Sequence, residues 1–205
     1  MTLSADTALN STVRSVGASA RQADYPVADL ILNRWSPRAY TDRPVTDEEL
    51  FTVLEAARWA PSSSNEQPWR FYVARTEEEL ERFRGFILPG NRKWSDRAPV
   101  LLLIASVVKK SNGDANGAHA FDAGAAWGIL ALQARLLGLA TRAIGGFDRR
   151  KARETLRTPD DIELHAVIAL GHPGTPELLP EELRERETPN SRRPLEISLL
   201  PVLEE

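Results

Sequence analysis

Trp59-Ala60-Pro61-Ser62-Ser63-Ser64-Asn65-Glu66-Gln67-Pro68-Trp69-Arg70-Phe71 separates a helical pattern from a strand pattern. Pro61 stops a helix and Pro68 fixes the entry to a strand. A proline ring locks φ, removes an N–H donor and restricts the residue before it. The connection is therefore held at both ends, and it carries three serines, an asparagine and a glutamine. Asn65 and Gln67 each offer a donor and an acceptor. That suits a flat heterocycle whose edge alternates carbonyls and ring nitrogens. On composition alone, an ordinary polar loop after a helix fits as well.

Outward from this loop the elements alternate. Upstream, Thr46-Asp47-Glu48-Glu49 forms a capping box. The helix it opens puts Leu50, Val53, Leu54 and Ala57 on one face and runs to about Trp59. Downstream, Trp69 to Ala74 reads as a strand, with Phe71 and Val73 on one side and Arg70 and Tyr72 on the other. Thr76 to Glu79 is a second capping box, opening a helix with Leu80, Phe83 and Ile87 buried and ended by Leu88-Pro89-Gly90-Asn91. Pro99 to Val108 is a near-continuous apolar run, the pattern of a strand covered on both faces. It is too short to span a bilayer. Lys109 to Gly117 is a polar loop.

The longest helical pattern runs from Asp122 to Leu139. Gly124 and Gly128 each cost roughly 1 kcal/mol there relative to alanine. They call for close packing, within one subunit or between two. Gly138 leads into a short strand ending at Ile144. Gly145-Gly146 then permit positive φ and close backbone approach to a ligand. Asp148 caps the helix through Leu156. Glu163 to Leu170 is a buried strand, and Gly171-His172-Pro173-Gly174 turns the chain with His172 in a structural role. Glu181 to Glu187 reads as a solvated charged face. Near the start, Asp24 caps a short helix with Pro26 in its first turn. Trp59, Trp69 and Trp94 read as core or interface packing.

Composition narrows the function. The 205 residues suffice for one domain with a substantial core. A net charge of −3 gives no electrostatic support for nucleic-acid binding. There is no cysteine, so disulfides, thiolate zinc sites and cysteine nucleophiles are excluded. His119, His165 and His172 are scattered, and no metal site is expected. Residues 1–25 read as a flexible polar arm without a signal-peptide run. Residues 26–205 read as a single domain, cytoplasmic by default.

Two basic segments lie near the ends of that domain. In Arg34-Trp35-Ser36-Pro37-Arg38, the two guanidinium groups can fork onto one phosphate with help from the Ser36 hydroxyl. An isolated pattern of this kind reads equally as solvated surface arginines. Asn190-Ser191-Arg192-Arg193-Pro194 reads by itself as a basic surface tail.

Taken together, four elements in order resemble the nitroreductase family. They are Arg34/Trp35/Ser36/Arg38, the loop of Pro61, Ser62, Ser63, Ser64, Asn65 and Gln67 up to Trp69, the turn Ile144-Gly145-Gly146, and Arg192 with Arg193. The resemblance covers roughly residues 26 to 196. It implies an α+β fold, an α-β-α sandwich with a mainly antiparallel central sheet in a domain-intertwined homodimer. It implies FMN as cofactor at the subunit interface. The arginines and Ser36 would take the phosphate, the loop the ring edge, and the Gly-Gly backbone flavin N5. NADH or NADPH would serve as transient donor, and a flat small-molecule acceptor such as a nitroaromatic or quinone would be reduced by ping-pong hydride transfer. No side chain is assigned as a catalytic acid or base, and neither a metal, a nucleic acid nor a membrane is implied. The tail from Leu195 to Leu200 would embrace the partner. Three departures stand out: Trp35 stands where an arginine or histidine is often found, Gly145 replaces a glutamate found in several members, and Asn190 replaces a frequent lysine. The missing glutamate at 145 and the loop at 109–118 leave open a same-fold flavoenzyme of other redox chemistry (dehalogenation, flavin breakdown, azoline oxidation), and a non-catalytic flavin-binding protein is a further alternative.

Overall fold

Strand β2, Val100–Val107, lies in the middle of the molecule, as its unbroken apolar run requires. The structure, a computed structural model, describes residues 21–202. Four strands form one sheet: β1 (Trp69–Ala74), β2, β3 (Ala140–Ile144) and β4 (Ile162–Gly171), in the order β1-β2-β4-β3. Every pairing is antiparallel.

Because side chains alternate along a strand, a two-sided sheet builds two cores. Leu101, Leu103, Val167 and Ala169 enter one cluster with Tyr40, Phe83, Phe86 and Trp94. Leu102, Ile104, Ile168 and Leu170 enter the other with Leu50, Val53, Ala57 and Leu130. The second face is covered by α2 (Asp47–Arg58) and α5 (His119–Leu136). The first is covered by α3 (Glu77–Arg84), α4 (Pro89–Ser95) and α6 (Arg149–Leu156). This is the expected α+β sandwich. A short α1 (Asp29–Asn33) precedes it, and α7 (Glu181–Arg184) follows.

The caps behave as read. Thr46 and Thr76 each close a complete capping box. Asp148 accepts the Lys151 N–H at 2.9 Å. Several expectations need correction. The first helix begins at Asp29 after Ala28, not near Asp24. Pro89 opens α4 rather than only closing the helix before it, since proline is well suited to a helix's first turn. Trp69 and Trp94 are core, whereas Trp59 is 72% exposed. A Cβ at Gly124 or Gly128 would meet nothing within 4 Å among the described residues, so packing against those residues does not explain either glycine. Glu187 is buried, not part of a solvated face. Among the described residues, no helix is long and apolar enough to cross a membrane.

Candidate functional site

The chain leaves α1 through Arg34 in extended conformation, because Pro37 forbids further helix. Arg34, Trp35, Ser36 and Arg38 thereby reach one cleft of about 970 Å³. Arg142 on β3 and Arg186 and Arg192 near the end of the chain line it too, as does Arg21 ahead of α1. Six arginines thus meet, and among the described residues no carboxylate lines the cleft. The opposite wall is α5, through Ala125, Trp127, Gly128, Ile129 and Leu132.

The cations are held by neutral groups. Arg34 Nη1 donates to Ser36 Oγ at 3.2 Å. Arg142 donates to the Ser36 carbonyl and lies over the Trp94 ring, 5.4 Å from its centroid. Burial, then neighbouring Arg192, pushes the Arg34 pKa down. Burial, then Arg38, does the same to Arg142. A group of like charges that still remains in place is what an anion site looks like without its anion's charge.

Arg38 differs from the others. Its Nη1 lies 3.5 Å from Glu187 Oε2. Glu187 Oε1 also accepts the N–H groups of Arg38 and Ala39, at 2.5 and 2.8 Å. The buried carboxylate therefore already offsets part of the Arg38 charge and fixes the segment's backbone. Reading residues 181–187 as one charge run hid this.

The serine loop follows another plan. Ser63–Asn65 form a single 3-10 turn, and Ser64, Asn65 and Gln67 all adopt positive φ, at 51°, 57° and 47°. Side chains rarely tolerate that region. The loop is fixed by Ser63 N–H donating to buried Asp122 at 3.1 Å and by Gln67 N–H donating to Ser62 Oγ at 3.0 Å. Glu66 takes two hydrogen bonds from Ser111. Pro61, Ser62, Ser63, Ser64, Asn65 and Gln67 do not line the arginine cleft of their own chain. Within one chain, then, the two groups of expected site residues stay apart.

The glycine turn follows β3, two residues beyond the cleft-lining Ala143. Ile144 is buried, so only its backbone is available to a ligand. Gly145 and Gly146 do not adopt positive φ, contrary to expectation. At Gly146 the requirement is steric. A Cβ at Gly146 would lie 2.5 Å from Asn91 Nδ2, whose amide donates to the Gly146 carbonyl at 3.2 Å. A Cβ at Gly145 would meet nothing, leaving open space beside the backbone. Arg192 lines the cleft and Arg193, exposed, does not.

Sequence reasoning missed Arg21, Arg142 and a histidine cluster. Ser106 Oγ lies 2.8 Å from His119 Nδ1 and 2.6 Å from His165 Nε2. His165 is the extra residue of a β-bulge, since Ile104 faces Ala166 while Ala105 faces Leu164. Glu163 stands 3.8 Å from each histidine. At His165, burial outweighs the charge of Glu163 and lowers the pKa. No group of three or more potential ligands able to hold a metal occurs among the described residues.

Comparison with known proteins agrees with this geometry. The nitroreductase family model matches residues 31–93 and 86–172. The FMN reductase [NAD(P)H] of Bacillus subtilis is 30% identical, over 75% of this chain and 70% of its own. An Archaeoglobus fulgidus protein, provisionally named NADH dehydrogenase/NAD(P)H nitroreductase, is 34% identical over 70% of this chain and 83% of its own. A crystal structure described as an oxidoreductase containing FMN superposes with a TM-score of 0.82 at 43% identity, covering 85% of this chain and 91% of that one. With its antiparallel sandwich, arginine cleft and serine loop, the chain belongs to the nitroreductase family.

Proposed function

We propose that this chain is an FMN-dependent oxidoreductase that passes electrons from NADH or NADPH to a flat electrophilic small molecule, such as a nitroaromatic or a quinone. The observation that carries the reading is the cleft of six arginines with no lining carboxylate among the described residues. FMN ends in a phosphate dianion, and guanidinium groups bind such an anion with charge-assisted, often bidentate hydrogen bonds. The donor set fits. Arg34 and Arg192 supply charge without a carboxylate partner among the described residues, and Ser36 adds a hydroxyl beside Arg34. When bound, FMN supplies the redox chemistry, taking electrons from the nicotinamide and giving them to the acceptor in turn.

The chain's own residues bind and orient. Arg142 holds the Ser36 backbone, and Glu187 holds that of Arg38. The open face of Gly145 leaves room for a flat ring. Asn65 and Gln67 carry amides suited to the ring's polar edge. Since the loop does not reach its own chain's cleft, we assign it to the cleft of a second copy in a homodimer. Three features support that assembly. A Cβ at Gly124 or Gly128 would meet nothing within 4 Å among the described residues. Phe121 on the same helix is 83% exposed. The tail leaves Ile197, Leu199 and Leu200 exposed. We take residues 26–205 as the domain, with the tail reaching across. A chain without cysteine gains nothing from an oxidising compartment, and the cytoplasm is the location we propose.

The test is direct. Purified protein should be yellow, with flavin absorption in the visible and a sedimentation mass of two chains. Anaerobic addition of NADH or NADPH should bleach that absorption, and a nitroaromatic or quinone should restore it. Colourless protein that does not take up added FMN would refute the reading.

A further inference from the structure

We propose that Arg21, from the segment ahead of α1, is a third phosphate-binding guanidinium of the cleft, beside Arg34 and Arg192. This rests on the FMN reading above. It gives a task to a residue that sequence analysis placed in a passive arm.

Among the described residues, the hydrogen bonds of Arg21 are all to neutral acceptors. Nη1 donates to the carbonyls of Leu32 at 3.2 Å and Arg34 at 2.7 Å. Nη2 donates to Asn190 Oδ1 at 3.3 Å. Arg192 Nη1 reaches the same Asn190 oxygen at 3.4 Å. One amide carbonyl therefore sets two guanidinium groups side by side, one from each end of the described chain. Nε of Arg21 is shielded from solvent and has no hydrogen-bond partner among the described residues.

A guanidinium has five N–H groups. Among the described residues three of Arg21's are used, which leaves one Nη2–H on a side chain that lines the cleft, beside the shielded Nε–H. An N–H of a guanidinium gives an oxyanion a charge-assisted hydrogen bond. The electrostatics agree. Burial, then Arg192, then Arg34 depress the Arg21 pKa, and no carboxylate lines the cleft among the described residues to offset them. A phosphate dianion supplies what the group of three lacks.

The competing role for Arg21 is a staple, tying off carbonyls at the end of α1. Ligand choice separates the two. FMN and riboflavin share the ring and the ribityl chain, and only FMN has the phosphate. Apoprotein of the full chain, its Arg21→Ala variant and its Arg21→Lys variant are titrated with each flavin by fluorescence quenching. The expected result is a loss of about 10- to 30-fold in FMN affinity for Arg21→Ala, the scale of a hydrogen bond to a charged group. Riboflavin affinity stays within about twofold on the same grounds. Arg21→Lys restores part of the FMN affinity, since it keeps the charge and loses the fork. It also serves as the readout should the alanine variant not fold. Equal losses for both flavins, or unchanged FMN affinity, would overturn the assignment to Arg21 while leaving the FMN reading intact. Parent protein that binds neither flavin would overturn both.

Discussion

The arginine cleft and the serine loop hold unfavourable energy in different forms. In the cleft the backbone is ordinary. Among the described residues that line it, none has positive φ. Its cost is electrostatic, because Arg21, Arg34 and Arg192 crowd one another around neutral acceptors. The loop carries little charge, and its cost is conformational. Ser64, Asn65 and Gln67 occupy a region that costs a residue with a Cβ about 1–2 kcal/mol, somewhat less for asparagine. On the proposed function, each region would be set in advance for a different part of one ligand: charge for a phosphate, shape and hydrogen bonding for a ring edge. Each is held by its own buried carboxylate. Glu187 fixes the Arg38 backbone and Asp122 fixes that of Ser63.

This contrast can be broken, and the largest effect should come from the cleft. Arg34→Ala removes a cation whose side chain bonds only Ser36 Oγ among the described residues. FMN affinity should fall by about 30- to 100-fold, roughly 2–3 kcal/mol. The melting temperature of the apoprotein should hold or rise slightly as repulsion is relieved. An apoprotein destabilised by as much as the ligand is weakened would show that Arg34 is a folding residue.

Asp122→Ala should do the reverse. It leaves the Ser63 N–H without its acceptor and should cost about 1–2 kcal/mol of stability in urea unfolding. It should weaken FMN and riboflavin alike, since the loop does not face the phosphate. A loss confined to FMN would join the two regions that this comparison separates.

The smallest effect is a pH dependence on the loop side, because the arginines stay charged throughout. His165 has a lowered pKa and faces Ser106, His119, Glu163 and Arg149. The unfolded chain then binds its proton more tightly than the folded one. Stability should be fullest above about pH 6.5 and fall as the pH drops through that value. His165→Gln should flatten the slope by a few tenths of a kcal/mol to about 1. Some slope should remain from His172, whose pKa burial also lowers. A slope unchanged by the substitution would remove His165 as its source.

Much of this architecture was legible in the chain because its signals are local. Thr46, Thr76 and Asp148 announce helix starts through one hydroxyl or carboxylate each, and the apolar run of β2 shows a strand buried on both faces. The arginine pair at 34 and 38 and the serine loop were found as short strings. What escaped depends on distance along the chain. Arg21 and Arg142 are single cations without a pattern, and only the fold brings them to Ser36 and Asn190. Glu187 looks like its acidic neighbours until Arg38 and Ala39 are placed beside it. The bulge at His165 depends on how two strands pair, which neither strand encodes alone. Pro89 illustrates an ambiguity, since the same ring that ends one helix opens the next.

Asn190 gathers guanidinium groups from positions 21 and 192, more than 160 residues apart in sequence. A loop of that span closes slowly and late. On the ribosome, a growing chain has its whole sheet in hand before Glu187 and Arg192 are made. If Arg192 holds the phosphate as proposed, tight capture of the yellow pigment would wait until translation has passed position 192, and colour would report that synthesis has reached the closing arginine.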